Sequence, residues 1–264
     1  MLLRKTAACC DEWRDAVKIK VHGSTQRMGE AAAASGVQGI ELAIQQNGQA
    51  YIILATGASQ FHLLENLLQA DMDWSRVHCF HLDEYVGLPM EHPASFCRYL
   101  KERFVDKLPE LGSFDFVRPD LLPPDEECRR LNELMQEVTV DVAFIGIGEN
   151  AHLAFNDPPA DFEITAPYIL VTLDEECRKQ QLGEGWFTSL EEVPRTAISM
   201  SIQQILKSKQ LVVTVPDERK ANAVQCAVEG PVTPQCPASI LQHHRNCTLF
   251  LDRGAAPLLQ SAPA

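Results

Sequence analysis

The sequence predicts an α/β fold, doubly wound, with a mostly parallel sheet and helices on both faces. Three observations carry this expectation. Short apolar runs alternate along the chain with segments of helical period. Several of those runs (YIILAT, VDVAFIGI, LVVTV) are apolar at successive positions, as in strands buried on both faces. The chain has 264 residues, 45% hydrophobic and 22% charged, enough apolar material for a sizeable core.

The elements follow in order. Strands are expected at 18–22, 50–56, 77–83, 115–118, 140–146, 168–173, 210–216 and 247–252. The segment 24–46 reads as a long helix weakened by Gly36 and Gly39. FHLLENLLQ reads as a second helix. Over 95–108, Phe96, Leu100, Phe104 and Leu108 recur at four-residue spacing. Over 125–138 the stripe is Cys128, Leu131, Met135 and Val138, and over 217–229 it is Ala221, Val224 and Val228. One α/β domain over 1–253 is expected. The tail from Gly254 to Ala264, rich in Pro and Ala, is expected to be poorly ordered.

Composition excludes some functions. The net charge of −13 disfavours nonspecific nucleic-acid binding, which depends on cations neutralising phosphates. A small anionic ligand stays open, provided that a local positive site is built for it. No run approaches a membrane span, and the first residues, MLLRKTAACCDEWRD, lack a signal-peptide core, so a cytoplasmic protein is expected. The nine cysteines include no C-x-x-C, and they read as reduced, mostly buried thiols.

Ligands of doubly wound sheets bind beyond the carboxyl ends of the strands. Four strand ends there carry chemistry. After the strand at 50–56 comes TGASQ, where Thr56, Gly57, Ala58 and Ser59 offer backbone N–H groups and hydroxyls to an anion. A plain turn with Ser59 as N-cap is the bland alternative. The strand at 77–83 ends on Asp83 and Glu84, where a partly buried carboxylate could act as general base. His78 and His81 alternate across that strand and do not share a metal with Asp83.

The third strand end, GIGENAHLAFNDP, matches the spacing G-x-G-x-x-A. Asn156, Asp157 and the following prolines interrupt the helix that a dinucleotide site needs, so no nicotinamide cofactor is expected. His152, flanked by Asn150, Asn156 and Asp157, reads better as a proton-transfer group with an orienting partner. The last end, VPDERK, puts Lys220 at the third position of a new helix with Asp217 as N-cap. A cation there opposes the helix dipole unless an anion binds beside it.

In order and spacing, LATGAS, HLDEYVGLPMEHPASF, GIGENAHLAFNDP and PDERKANAVQCAVEGPVTPQCPASILQHH resemble the glucosamine-6-phosphate deaminase (isomerase) family. The likeness spans about residues 20–252, with a weaker piece at PRTAISMSIQQIL. The resemblance implies a modified Rossmann-like fold, no cofactor and no metal. It implies conversion of glucosamine 6-phosphate and water to fructose 6-phosphate and ammonia. It makes Asp83 the base between C2 and C1, His152 the ring-opening group, and Asp157 its holder. Thr56, Gly57, Ala58, Ser59 and Lys220 would hold the phosphate.

Three positions depart from the family pattern. Asn150 replaces an aspartate, Ala151 a glycine, and Gln181 a phosphate-contacting arginine for which Arg178 could substitute. The segment 159–190 would correspond to the family's lid, or else to a fixed strand–helix unit. Two other functions stay open: a 6-phosphogluconolactonase-like hydrolase, and a non-catalytic sugar-phosphate-binding protein. The expected partner is a small phosphosugar, not nucleic acid or membrane. A homo-oligomer is compatible with the sequence, which does not fix the oligomeric state.

Overall fold

The computed structural model describes residues 17–260. Residues 1–16, with Cys9 and Cys10, and the last four residues of the expected loose tail lie outside the described residues.

The strands are β1 (Val17–His22), β2 (Ala50–Leu54), β3 (Val77–His81), β4 (Asp83–Tyr85), β5 (Ser113–Asp115), β6 (Val142–Ile145), β7 (Tyr168–Thr172), β8 (Thr196–Met200), β9 (Gln210–Val215) and β10 (Cys247–Asp252). Seven form a sheet in the order β1-β10-β9-β6-β2-β3-β5, and all of its pairings are parallel. The helices are α1 (Thr25–Asn47), α2 (Phe61–Leu67), α3 (Phe96–Arg103), α4 (Pro124–Met135), α5 (Glu175–Gly183), α6 (Ile202–Leu206) and α7 (Ala221–Glu229).

Both faces of the sheet are covered, as the doubly apolar strands require. Ile52, Leu54, Phe144, Val212 and Phe250 pack with α1, α2 and α3. Their strand neighbours Ile53, Ala143, Ile145, Val213 and Leu249 pack with α4 and α7 on the other side. Gly36 and Gly39 do not break α1; they let it lie on the sheet. A Cβ on Gly36 would meet the Phe144 ring at 2.1 Å, and one on Gly39 would meet Val142 at 2.8 Å.

Several expectations need correction. The run 77–83 is not one strand. It leaves the large sheet at Leu82, whose N–H still donates to Leu54 O at 3.2 Å while its carbonyl accepts from Met200 N at 3.0 Å. Asp83–Tyr85 then pairs antiparallel with β8, which pairs with β7, giving a second sheet of three strands. The expected strand at 115–118 ends at Asp115, and the helix over 95–108 ends at Arg103 because Phe104 leaves helical geometry at φ −131°.

The tail packs on the domain as far as Gln260. Ala255 and Ala256 are buried, Leu258 O accepts from Gln225 Nε2, and Gln260 N donates to Glu229. Small residues let it seat there. Cys226 and Cys236 pair as a disulfide, against the expectation that all thiols are reduced; the chain doubles back after Gly230 and brings their Cα atoms to 6.5 Å. Cys79, Cys97, Cys128, Cys177 and Cys247 are free and buried.

Candidate active site

The strand order reverses direction between β2 and β6. From β2 the chain moves outward to β3 and β5; from β6 it moves the other way to β9 and β10. The diverging connections leave a crevice at the carboxyl ends of these strands, where ligands bind in open α/β sheets. A cleft opens there. Thr56, Gly57, Ala58, Ser59, Asp83, His152 and Lys220, from four strand ends, all line it.

The turn after β2 is held from behind. Gly57 has φ +90°, a conformation that favours glycine. Its carbonyl accepts from Gln60 N at 3.1 Å and from Tyr99 OH of α3 at 3.1 Å. The buried Gln60 amide donates to Ser59 Oγ at 3.0 Å and to Thr214 Oγ1 of β9 at 2.8 Å. Ser59 Oγ therefore faces the β9 side and the cleft. It does not cap α2, whose N-cap residue, Gln60, makes no side-chain capping bond.

The two acids at the head of β4 point opposite ways. Glu84 is saturated with donors: Cys97 N at 2.7 Å, Ser95 Oγ at 2.8 Å and Tyr85 N at 2.8 Å. Asp83 lines the cleft and is only 5% exposed. Burial, then the neighbouring Glu84, pushes its carboxyl well above the usual carboxylate range.

The loop after β6 is not a helix, so the G-x-G-x-x-A spacing does not open a dinucleotide-type turn. It is a tight hairpin around the imidazole. Gly148 N donates to His152 O at 3.0 Å, and Ala151 N donates to Gly148 O at 3.0 Å. Ala151, where the family pattern has glycine, sits at φ +66°, a strained geometry for a residue with a Cβ. A Cβ at Gly148 would lie 2.2 Å from His152 Nε2, so the imidazole occupies the space that this glycine leaves.

Asp157 Oδ1 is 3.1 Å from His152 Nδ1. It also accepts from Asn150 Nδ2 at 3.0 Å and from Asp174 N at 3.0 Å. Burial works to raise the Asp157 carboxyl, but the bond and charge of His152 and the other donors outweigh it and hold it below the usual range. An ionised carboxylate must receive a proton from Nδ1, which leaves the Nε2 lone pair free.

Asn150 does not touch the imidazole. Its Oδ1 accepts from His152 N at 3.1 Å, and its Nδ2 reaches Asp157 and, at 3.4 Å, Asp174. The amide thus separates two carboxylates. An aspartate here would supply neither donor.

Lys220 ends a short turn (Glu218–Lys220) capped by Asp217, with α7 following, as the sequence predicts. Among the described residues no ion pair closes on it; the neighbouring Arg219 takes Glu149 at 3.2 Å and Asp217 at 2.9 Å instead. Burial draws the Lys220 ammonium below its usual range, against the pull of Glu149 and Glu184.

Arg178 does not substitute for the missing arginine. It is buried behind α5, where its guanidinium donates to the carbonyls of Val193 and Leu190. Gln181 does line the cleft, with Oε1 fixed by Tyr85 OH at 2.6 Å. Two further residues, Gln180 and Glu184, line the cleft without any signal in the sequence pattern. The segment 159–190 is a strand–helix unit: β7 is paired with β8 along its length, and Asp174 caps α5. His152, Asp157 and Cys177 bring potential metal-ligand atoms within 4.8 Å of one another, and there His152 Nδ1 and the Cys177 thiol are bonded to Asp157.

The family profile described as glucosamine-6-phosphate isomerases/6-phosphogluconolactonase matches residues 23–250. The chain belongs to this family. It is 35% identical over 230 residues to the glucosamine-6-phosphate deaminase of Oenococcus oeni, covering 86% of this chain and 94% of that one. It is 37% identical over 209 residues to the glucosamine-6-phosphate deaminase of Lactobacillus delbrueckii subsp. bulgaricus, covering 78% and 86%. Among solved structures, a monomeric glucosamine-6-phosphate deaminase superposes with a TM-score of 0.82 at 29% identity, over 92% of this chain and all (100%) of the other. The 6-phosphogluconolactonase of Trypanosoma brucei reaches a TM-score of 0.75 at 15% identity, over 90% and 97%, and shares the fold. Within the family, the chain carries Asp83 and His152 in one cleft, with Asp157 bonded to the imidazole. No helix among the described residues is long and apolar enough to cross a membrane.

Proposed function

We propose that the chain is a glucosamine-6-phosphate deaminase, converting glucosamine 6-phosphate and water to fructose 6-phosphate and ammonia. The reading rests on one observation: Asp83, His152 and Lys220, from separate strand ends, line a single cleft. The relatives named above support the same substrate.

The phosphate binds between the turn 56–59 and the ammonium of Lys220. Anchored there, the substrate brings its reacting carbons to the other end of the cleft, so that remote binding energy orients them. His152 Nε2 moves a proton between the ring oxygen and O1, which opens the hemiacetal. Asp157 stabilises the imidazolium that forms, while Asn150 braces Asp157. Asp83 takes the proton from C2 and returns it to C1, giving the ketose imine. Water adds to that imine and ammonia leaves. A carboxyl held above its usual range suits both steps, because it gives the proton back as readily as it takes it. Arg178 has no part in this scheme.

The test is ammonia release from glucosamine 6-phosphate by the purified protein, beside hydrolysis of 6-phosphogluconolactone and a control with EDTA. Ammonia and fructose 6-phosphate are expected in both the presence and the absence of EDTA. Lactone hydrolysis without ammonia would make the chain a lactonase. Binding of the phosphosugar with no turnover would make it a binding protein.

A further inference from the structure

A carboxylate faces the anion end of the cleft, where the scheme above needs only cations and N–H donors. Glu184, at the end of α5, lines the same cleft as Gly57 and Lys220. Its Oε2 is the nearest atom to the position that a Cβ on Gly57 would take, at 3.9 Å. It is not swept out to solvent: the strongest charge acting on it is Lys220, followed by the side chain of Gln180 and the charges of Arg219 and His152.

We propose that Glu184 is a specificity residue of this cleft: an ionised Glu184 and a bound phosphate ester exclude one another, so the ester enters with uptake of one proton. The proposal rests on the reading of the Lys220 end of the cleft as the phosphate subsite.

The argument is one of charge. A phosphate ester is a dianion above about pH 6. Lys220 is the ammonium in this subsite without an ion pair among the described residues, while Arg219 is already held by Asp217 and Glu149. Gln181 puts a neutral amide where the family pattern has an arginine. Glu149 already offsets Lys220 in part, and an ionised Glu184 offsets it further before the ester arrives. A dianion beside a carboxylate in a partly enclosed site is strongly repelled. A proton from solvent, taken up by Glu184, removes the repulsion and turns the carboxyl into a donor toward a phosphate oxygen. The bound state then holds a neutral Glu184, the dianion and the Lys220 ammonium.

The groups facing Glu184 favour this outcome. Lys220 and Arg219 come from the turn before α7, His152 from the loop after β6, Tyr85 from β4 and Tyr99 from α3, with Gln180 on its own helix. The phenols and the amide carry no compensating charge at neutral pH. Burial already pushes the Glu184 carboxyl upward in the free protein.

The experiment is calorimetric binding of glucose 6-phosphate, which lacks the amino group, at pH 8 in two buffers of different ionisation enthalpy. The wild type is expected to take up about one proton per ester bound, and to bind more tightly as the pH falls from 8 to 6.5. Glu184→Gln is expected to take up about none, and to bind at least about tenfold tighter at pH 8. Glu184→Ala should lose the same proton uptake, which guards against an effect peculiar to the amide. Equal uptake in wild type and both variants, or weaker binding by Glu184→Gln, overturns the proposal. A Lys220→Ala variant that binds as well as wild type would instead overturn the subsite reading, and the role of Glu184 with it.

Discussion

Replacing Asp83 by asparagine should abolish turnover and at the same time stabilise the protein. Asp83 is 5% exposed, and its carboxyl is pushed upward by burial and by Glu84. In the unfolded chain its pKa is about 3.9. Below that value both states are protonated and the residue costs nothing. As the pH rises, the unfolded state ionises first, and stability falls by about 1.4 kcal/mol per pH unit until the raised folded value is passed. Asparagine has nearly the same shape and does not titrate.

The relief at neutral pH should be about 2 kcal/mol, typical for a buried polar group held without full compensation. For a chain of this size that is a rise in Tm of about 4–8 °C. Thermal melts of both proteins at pH 4.5, 6 and 7.5 test this, run beside ammonia release and phosphosugar binding. The expected pattern is an offset clearly smaller at pH 4.5 than at pH 6 and 7.5, no turnover, and binding within about tenfold of wild type. A variant that melts lower at pH 7.5, or an offset independent of pH, would mean that Asp83 is not held in a strained ionisation state. Retained turnover would remove it from the base role.

Lys220→Ala should raise KM by about 10–100-fold with a smaller change in kcat, because the lost contact is made equally in ground and transition states; steady-state kinetics decide, and an unchanged KM moves the phosphate elsewhere. Gly148→Ala should lower kcat by about 10²-fold or more, since its Cβ would occupy the place of the His152 ring, which must leave its bond to Asp157; an active variant would show that the ring position does not matter. Asn150→Asp, which restores the family's usual residue, should slow the enzyme and cost about 1–3 kcal/mol of stability at neutral pH. It removes two donors and sets a third carboxylate between Asp157 and Asp174. Faster turnover in that variant would show that the amide is a handicap.

Much of the large sheet was legible because parallel strands buried on both faces leave unbroken apolar runs. β2, β6, β9 and β10 all read that way, and the ends of β2, β6 and β9, with that of the run 77–83, located the cleft. Of the small sheet only β7 was legible, at 168–173. Apolar continuity from Val77 to Asp83 says nothing about a change of sheet at Leu82. The partner β8 is only five residues long, with Ser199 inside it and Pro194 close before it. Arg178 had the right chemistry in the right segment, but its direction depends on the turn at 190–193, whose carbonyls claim it. Glu184 carried no signal, because a lone acid after a short polar helix looks like any solvated residue. The Cys226–Cys236 pairing depends on how the chain returns after Gly230, which spacing alone does not encode.

The change of sheet is also what separates two adjacent acids into different roles. Side chains alternate along a strand, so Asp83 and Glu84 must face opposite ways wherever β4 is placed. Had the chain continued in the large sheet, one acid would have entered a helix-covered face. Crossing at Leu82 sets β4 beside β8 instead. Glu84 then meets the first turn of α3, whose free N–H groups and Ser95 bond it and offset part of the cost of its burial. Asp83 meets the cleft, where no comparable set of donors receives it. The first acid is buried at a cost and the second is fully bonded, and that asymmetry makes Asp83 the one whose proton can move. Swapping the order, by Asp83→Glu with Glu84→Asp, would keep both charges and should still destroy activity, because the longer side chain faces the sugar and the shorter one no longer reaches α3.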